Sequence, residues 1–170
     1  MIDSGARRRY PRLPMRAIFS AIALLSSVVA AEAQMLGVGG AEITQRGTYE
    51  YEAANSNKPA SSEYRFVSSA TTVPARKGAH FGFEYRLLGI PRGLQAPIRH
   101  VVIFPEGGVR TTTGQVLTRK DSFITATIGN LYLRGYNLDE DWEVVPGVWT
   151  LQVWFGERKL AEQSFTLTKP

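Results

Sequence analysis

The 170-residue chain contains no cysteine and only two histidines, His80 and His100. The first absence excludes disulfides, a lipidated-cysteine anchor and a thiol nucleophile, so packing alone must hold the fold. The second leaves only two side chains that titrate near neutrality. Neither histidine has the i, i+4 partner or His-Glu-x-x-His setting of a catalytic zinc site, and each lies in a segment of strand character. A Gly-x-Ser-x-Gly elbow for a serine hydrolase is also missing. After Ala33 no stretch keeps a 3.6-residue apolar period over three turns, and there is no internal repeat or low-complexity tract.

What is present starts at the N-terminus. Arg7, Arg8, Arg9, Arg12 and Arg16 form a positive region, Ala17 to Ala30 is apolar, and Ala31-Glu32-Ala33 follows the small-x-small rule. This order predicts a cleavable export signal over residues 1–33 and a mature start at Gln34. The apolar run is well short of the roughly 20 residues that span a bilayer, so no stable membrane anchor is expected after cleavage. Tyr10-Pro11-Arg12-Leu13-Pro14 replaces the hydrophobic residues that follow a twin-arginine pair, which favours ordinary unfolded export. Met15 is an alternative start to Met1, since Met15-Arg16 keeps a short positive region. Cleavage takes away five arginines and two acids, Asp3 and Glu32, so the formal net charge falls from +5 to +2. A mature chain so weakly charged gives no indication of nucleic acid or anionic lipid as a partner. The expected location is periplasmic or secreted.

Residues 34–170 suffice for one domain with a single core. Met35-Leu36-Gly37-Val38-Gly39-Gly40 reads as a small flexible leading segment. It lacks the third glycine and the strand–helix context of a dinucleotide fingerprint, so no cofactor is expected. Beyond it, short runs rich in β-branched and aromatic residues alternate with Gly and Pro turns, predicting strands at Ile43–Tyr51, Tyr64–Val73, His80–Leu88, Pro97–Phe104, Phe123–Ile128 and Leu131–Tyr136. Ala54–Ser62 reads as a loop, and Val109–Lys120 as a long connection or irregular edge strand. Phe81, Phe83, Tyr85 and Leu87 share one face of their segment, the mark of a half-buried strand. Val148–Phe155 and Leu160–Thr168 form a hairpin about Gly156-Glu157-Arg158, with Trp149, Leu151, Val153 and Phe155 on the apolar face. The expected fold is an immunoglobulin-like β-sandwich of seven to nine mostly antiparallel strands, with a small β-barrel as the alternative.

Four segments carry a family resemblance: Gly78-Ala79-His80-Phe81-Gly82-Phe83-Glu84-Tyr85, Gly89-Ile90-Pro91-Arg92-Gly93, Val145-Pro146-Gly147-Val148-Trp149-Thr150 and Leu160-Ala161-Glu162-Gln163-Ser164-Phe165. Together they resemble a family of small bacterial proteins built on an uncharacterised domain of unknown function, usually behind a signal peptide. The likeness runs from about Ala41 to Leu167, and the last two segments are the most specific. It implies an envelope protein of β-sandwich type and brings no catalytic residues with it.

Candidate sites fall in two places. Asn137, Asp139, Asp141 and Glu143 alternate as calcium-loop oxygens do, but Trp142 stands where the sharp turn needs glycine and Val148 where a bidentate glutamate belongs. Asn137, Asp139 and Asp141 are therefore only weak calcium candidates, and no metal is assigned. Tyr136 and Trp142 flank this loop, where aromatic rings can stack on a sugar; with Glu143 they define a candidate glycan site, or an enzyme's site if paired carboxylates act on a glycoside. The second place is the hairpin's other face, where Trp154, with Gln152 beside it and Leu160 across the turn, forms a candidate patch for a partner. A non-enzymatic module that binds another envelope protein is the leading expectation.

Overall fold

The computed structural model describes residues 37–52 and 64–169; the predicted export signal and the Ala54–Ser62 loop lie outside them. The described residues form eleven strands in order: β1 Gly37–Tyr51, β2 Tyr64–Ser68, β3 Thr72–Pro74, β4 His80–Ile90, β5 Gln95–Ile103, β6 Val109–Arg110, β7 Val116–Leu117, β8 Arg119–Thr127, β9 Leu131–Asn137, β10 Gly147–Phe155 and β11 Arg158–Thr168. A single 3-10 turn, Asp141–Glu143, is the helical element among the described residues. None of their helices is long and apolar enough to cross a membrane.

Nine strands form two sheets, one ordered β2-β1-β4-β9 and the other β3-β11-β10-β5-β8, while β6 and β7 make a separate small hairpin. The sheets stack as a sandwich because each strand carries one apolar face, and burying those faces against each other removes both from water. From β4 come Phe81, Phe83, Tyr85 and Leu87; from the facing sheet come Ile98, Trp149, Leu151, Val153, Phe165 and Leu167. Trp149 is fully buried at the centre, with the rings of Phe104, Tyr136 and Phe81 packed around it at 5.1, 5.1 and 5.9 Å. Its indole N–H is satisfied by the Val145 carbonyl at 3.0 Å.

Three segments differ from the sequence reading. Residues 37–40 are not a flexible lead: they begin β1, pair with the end of β4 across a bulge at Val38/Gly40, and place Val38 in the core. Here glycine serves close approach, since a Cβ on Gly89 would lie 2.6 Å from the Gly37 carbonyl oxygen. Tyr64–Val73 is not one strand, because the chain leaves the first sheet after Ser68 and joins the second as β3, parallel to β11. Pro74 is accommodated there because β3 is an edge strand. Within Val109–Lys120 the β6–β7 hairpin closes on Thr111 and Gln115, and Val109 enters the core.

The two long sides of the sandwich differ. On one, Arg46 donates to Gln163 at 3.3 Å and Arg158 donates to the Val38 and Gly39 carbonyls, tying β1 to β11. On the other, β8 and β9 are the last strands of opposite sheets, and a cleft opens between them.

Candidate functional site

The outer face of the second sheet holds the Trp154 region. Register sets Trp154, Arg99 and Phe123 side by side across β10, β5 and β8, and the row beneath it as Glu162, Gln152, Val101 and Asp121. The Arg99 guanidinium lies 5.2 Å from the centre of the Trp154 ring, within cation–π range. The Trp154 indole N–H donates to Gln152 Oε1 at 2.8 Å, and Gln152 Nε2 donates to Glu162 at 2.7 Å. Lys159 completes this chain by pairing with Glu162 at 2.7 Å. The Lys159 and Gln152 contacts hold the Glu162 carboxyl below its ordinary range. At the other end of the row Phe123 is 74% exposed, beside Arg99, which also donates to the Gly156 carbonyl at 3.3 Å and pairs with Asp121 at 3.8 Å. Leu160 does not join this face. A bulge at Val153/Trp154 makes Lys159 the partner of Trp154, and Leu160 packs instead against the core.

The acidic loop is organised from within. Glu143, only 5% exposed, accepts hydrogen bonds from Tyr136 Oη at 2.6 Å and from the backbone N–H groups of Asp139 and Glu140 at 2.8 and 3.0 Å. It therefore caps the 3-10 turn in a reciprocal capping box. Asp141 points to Lys77, 3.3 Å away, and Asp139 accepts from Asn137. The oxygens proposed for calcium thus serve different partners, and among the described residues no three His, Cys, Asp or Glu converge on a metal position. The aromatics are equally occupied. Tyr136 is a core ring whose hydroxyl, buried and bonded to Glu143, is pushed far above its ordinary pKa, and Trp142 packs against the core. Lys120 stands 5.7 Å from the Tyr136 ring centre.

Beside the acidic loop lies the β8–β9 seam, a cleft of about 330 Å³. One wall carries Lys120 and Ser122 of β8, with Val102 of β5 opposite Lys120; the other carries Arg134 and Tyr136 of β9. Arg134 sits at an inward position and is 6% exposed, and burial lowers its pKa to about 10, which leaves it charged at neutral pH. Next to it Tyr85 and His100 share a 2.8 Å hydrogen bond, and burial, with Arg134 adding repulsion, lowers the His100 pKa to about 3. Burial alone lowers that of His80, on the outer face of the first sheet, to about 4. Both imidazoles are neutral at pH 7, and among the described residues neither is hydrogen-bonded to a carboxylate.

Residues 39–167, nearly the whole described chain, match the family described as Domain of unknown function (DUF3859). The chain belongs to that family. A solved relative in shape is an immunoglobulin-like protein from Pseudomonas aeruginosa, 28% identical, with a TM-score of 0.58 over 75% of this chain and 96% of that one. No functionally curated protein matches. The family member described here is thus an immunoglobulin-like β-sandwich, and its fold and family are consistent with a non-enzyme.

Sequence reasoning passed over Arg99, Phe123, Lys120 and Arg134. A signal for the last two lay in the strand alternation. Tyr132, Arg134 and Tyr136 share one parity in β9, and Lys120 and Ser122 share that of Ile124 and Ala126 in β8, so charged residues occupy positions that should face inward.

Proposed function

We propose that this family member is an exported, non-enzymatic binding module that docks a second envelope protein on the outer face of its β3-β11-β10-β5-β8 sheet. The observation that carries the reading is the Trp154–Arg99–Phe123 row, which sets an exposed phenylalanine next to an arginine stacked on tryptophan. Tryptophan and arginine dominate the energetics of protein interfaces, and an ordered row loses little side-chain freedom on binding. The Gln152–Glu162–Lys159 chain and the Arg119–Asp121 pair at 2.5 Å give the row a polar rim. A partner that fits presents an apolar pocket for Phe123 with a carboxylate or carbonyl placed to meet Arg99. Export rests on the reading of residues 1–33, and the envelope partner follows from that location.

The test is photo-crosslinking in the native host from probes at Phe123, Trp154 and Gln152, with Trp142 as a comparison site, read by mass spectrometry. One partner captured from the first three positions and lost on Arg99→Ala supports the reading. Equal capture from Trp142, no partner at any position, or a protein retained in the cytoplasm refutes it.

A further inference from the structure

We propose that the β8–β9 seam is a binding site for a small carboxylate, held by the Arg134 guanidinium with Lys120 and Ser122 on the facing wall. The reason begins with an uncompensated charge. Taking a guanidinium out of water costs several kcal/mol unless a counter-charge and hydrogen bonds replace the lost hydration. Arg134 has little of either: its Nε is buried with no partner, and Nη1 donates to the Gly135 carbonyl at 2.7 Å. Tyr85, Tyr136 and His100 beside it are all held neutral at pH 7, and Glu143, beyond Tyr136, accepts from the Tyr136 hydroxyl and makes no ion pair with Arg134. None of the ion pairs among the described residues involves Arg134 or Lys120. Two cations therefore stand across one cleft with no ion pair to either, and the two carboxylates that share its lining, Glu143 and Asp139, are engaged in hydrogen bonds within the chain.

The other charged groups of the cleft select the type of anion. Glu143 and Asp139 line its far end, and Glu143 already accepts three hydrogen bonds from within the chain. Inorganic phosphate, in large part a dianion near neutral pH, meets repulsion from both carboxylates, whereas a monoanion such as acetate meets less. Ser122, directly opposite His100 on the inward face, adds a hydroxyl donor. The volume is near the lower end of the roughly 300–1,000 Å³ typical of small-molecule sites. The competing role for these two cations is to guard the edges of β8 and β9 against strand addition, since inward-pointing charges discourage pairing.

The experiment is an NMR titration of the 15N-labelled protein with sodium acetate, and separately with inorganic phosphate, at ionic strength held constant with sodium chloride. Saturable shifts of the Arg134 Nε–H and the Gly135 and Tyr136 amides are expected with acetate in the millimolar range. Phosphate should bind at least about tenfold more weakly. Arg134→Met should abolish the response, and Lys120→Gln, which gives up only the cation–π contact of Lys120 with Tyr136, should weaken it by about fivefold to tenfold. If Arg134→Met does not fold, Lys120→Gln and Ser122→Ala still decide the matter. Acetate shifts that never saturate, affinity unchanged in Lys120→Gln, or phosphate binding as tight as acetate overturn the proposal. Self-association of a folded Arg134→Met, with no acetate response in the parent, assigns the pair to edge protection and overturns it too.

Discussion

Lowering the pH from 7 to 5 should destabilise this sandwich through its two histidines. Both are 7% exposed, and burial lowers their pKa values from 6.5 to about 4 for His80 and about 3 for His100. The unfolded chain therefore takes up protons first as the pH falls. Stability from this source is complete above about pH 6.5 and is lost progressively toward the folded pKa of each ring. At pH 5 each unfolded imidazole is about 1.5 pH units below its ordinary pKa, which at 1.36 kcal/mol per unit is about 2 kcal/mol per histidine and about 4 kcal/mol together. That is a large part of the total for a domain stable by about 5–15 kcal/mol. Carboxylates titrate mostly below this window, at about pH 4, so the two rings dominate it. Urea unfolding followed by tryptophan fluorescence measures the effect, and with a slope of about 2 kcal/mol/M the midpoint should fall by about 2 M between pH 7 and 5. His100→Gln keeps a hydrogen-bonding group near Tyr85 and removes one proton site, so it should halve the fall. A midpoint that does not move with pH, or a variant that moves as much as the parent, refutes the reasoning.

Two further changes test local features. A Cβ at residue 135 would lie 2.2 Å from His80 Nε2, so Gly135→Ala should push the ring outward, cost about 1–3 kcal/mol and remove the His80 share of the pH dependence in the same urea series. Glu143→Gln replaces the charged acceptor of three hydrogen bonds and should cost about 1–3 kcal/mol, seen as a lower thermal midpoint. On the surface, Phe123→Ser should change stability by less than about 0.5 kcal/mol while abolishing capture of the envelope partner, as a crosslinking yield at Trp154 shows.

Much of the architecture was legible because a strand's own alternation reports which face it buries. The Phe81-Phe83-Tyr85-Leu87 face and the Trp149 position followed from period-2 patterning and lie in the core, and the terminal hairpin forms with a shorter turn, since Arg158 already begins β11. Glycine misled where its role was spatial: residues 37–40 looked flexible, yet they pass close to Gly89 as a strand. Leu160 misled because a single-residue bulge, invisible in composition, turns it away from Trp154. In the acidic loop, alternation along the sequence does not tell which oxygens converge, and here each carboxylate has its own near partner.

The order of apolar and polar residues over a few positions was enough for the β-class, most of the strands and their core faces. Which strands become edges, which sheet each joins and which side chains meet across the gap depend on pairings between residues far apart in the chain. Arg99 stacks on Trp154 across 55 positions only because β5 lies next to β10. Arg134 and Lys120 face one cleft because β9 and β8 end opposite sheets, and no local pattern encodes that. The location of the core was thus a matter of sequence periodicity, and that of the candidate sites a matter of topology.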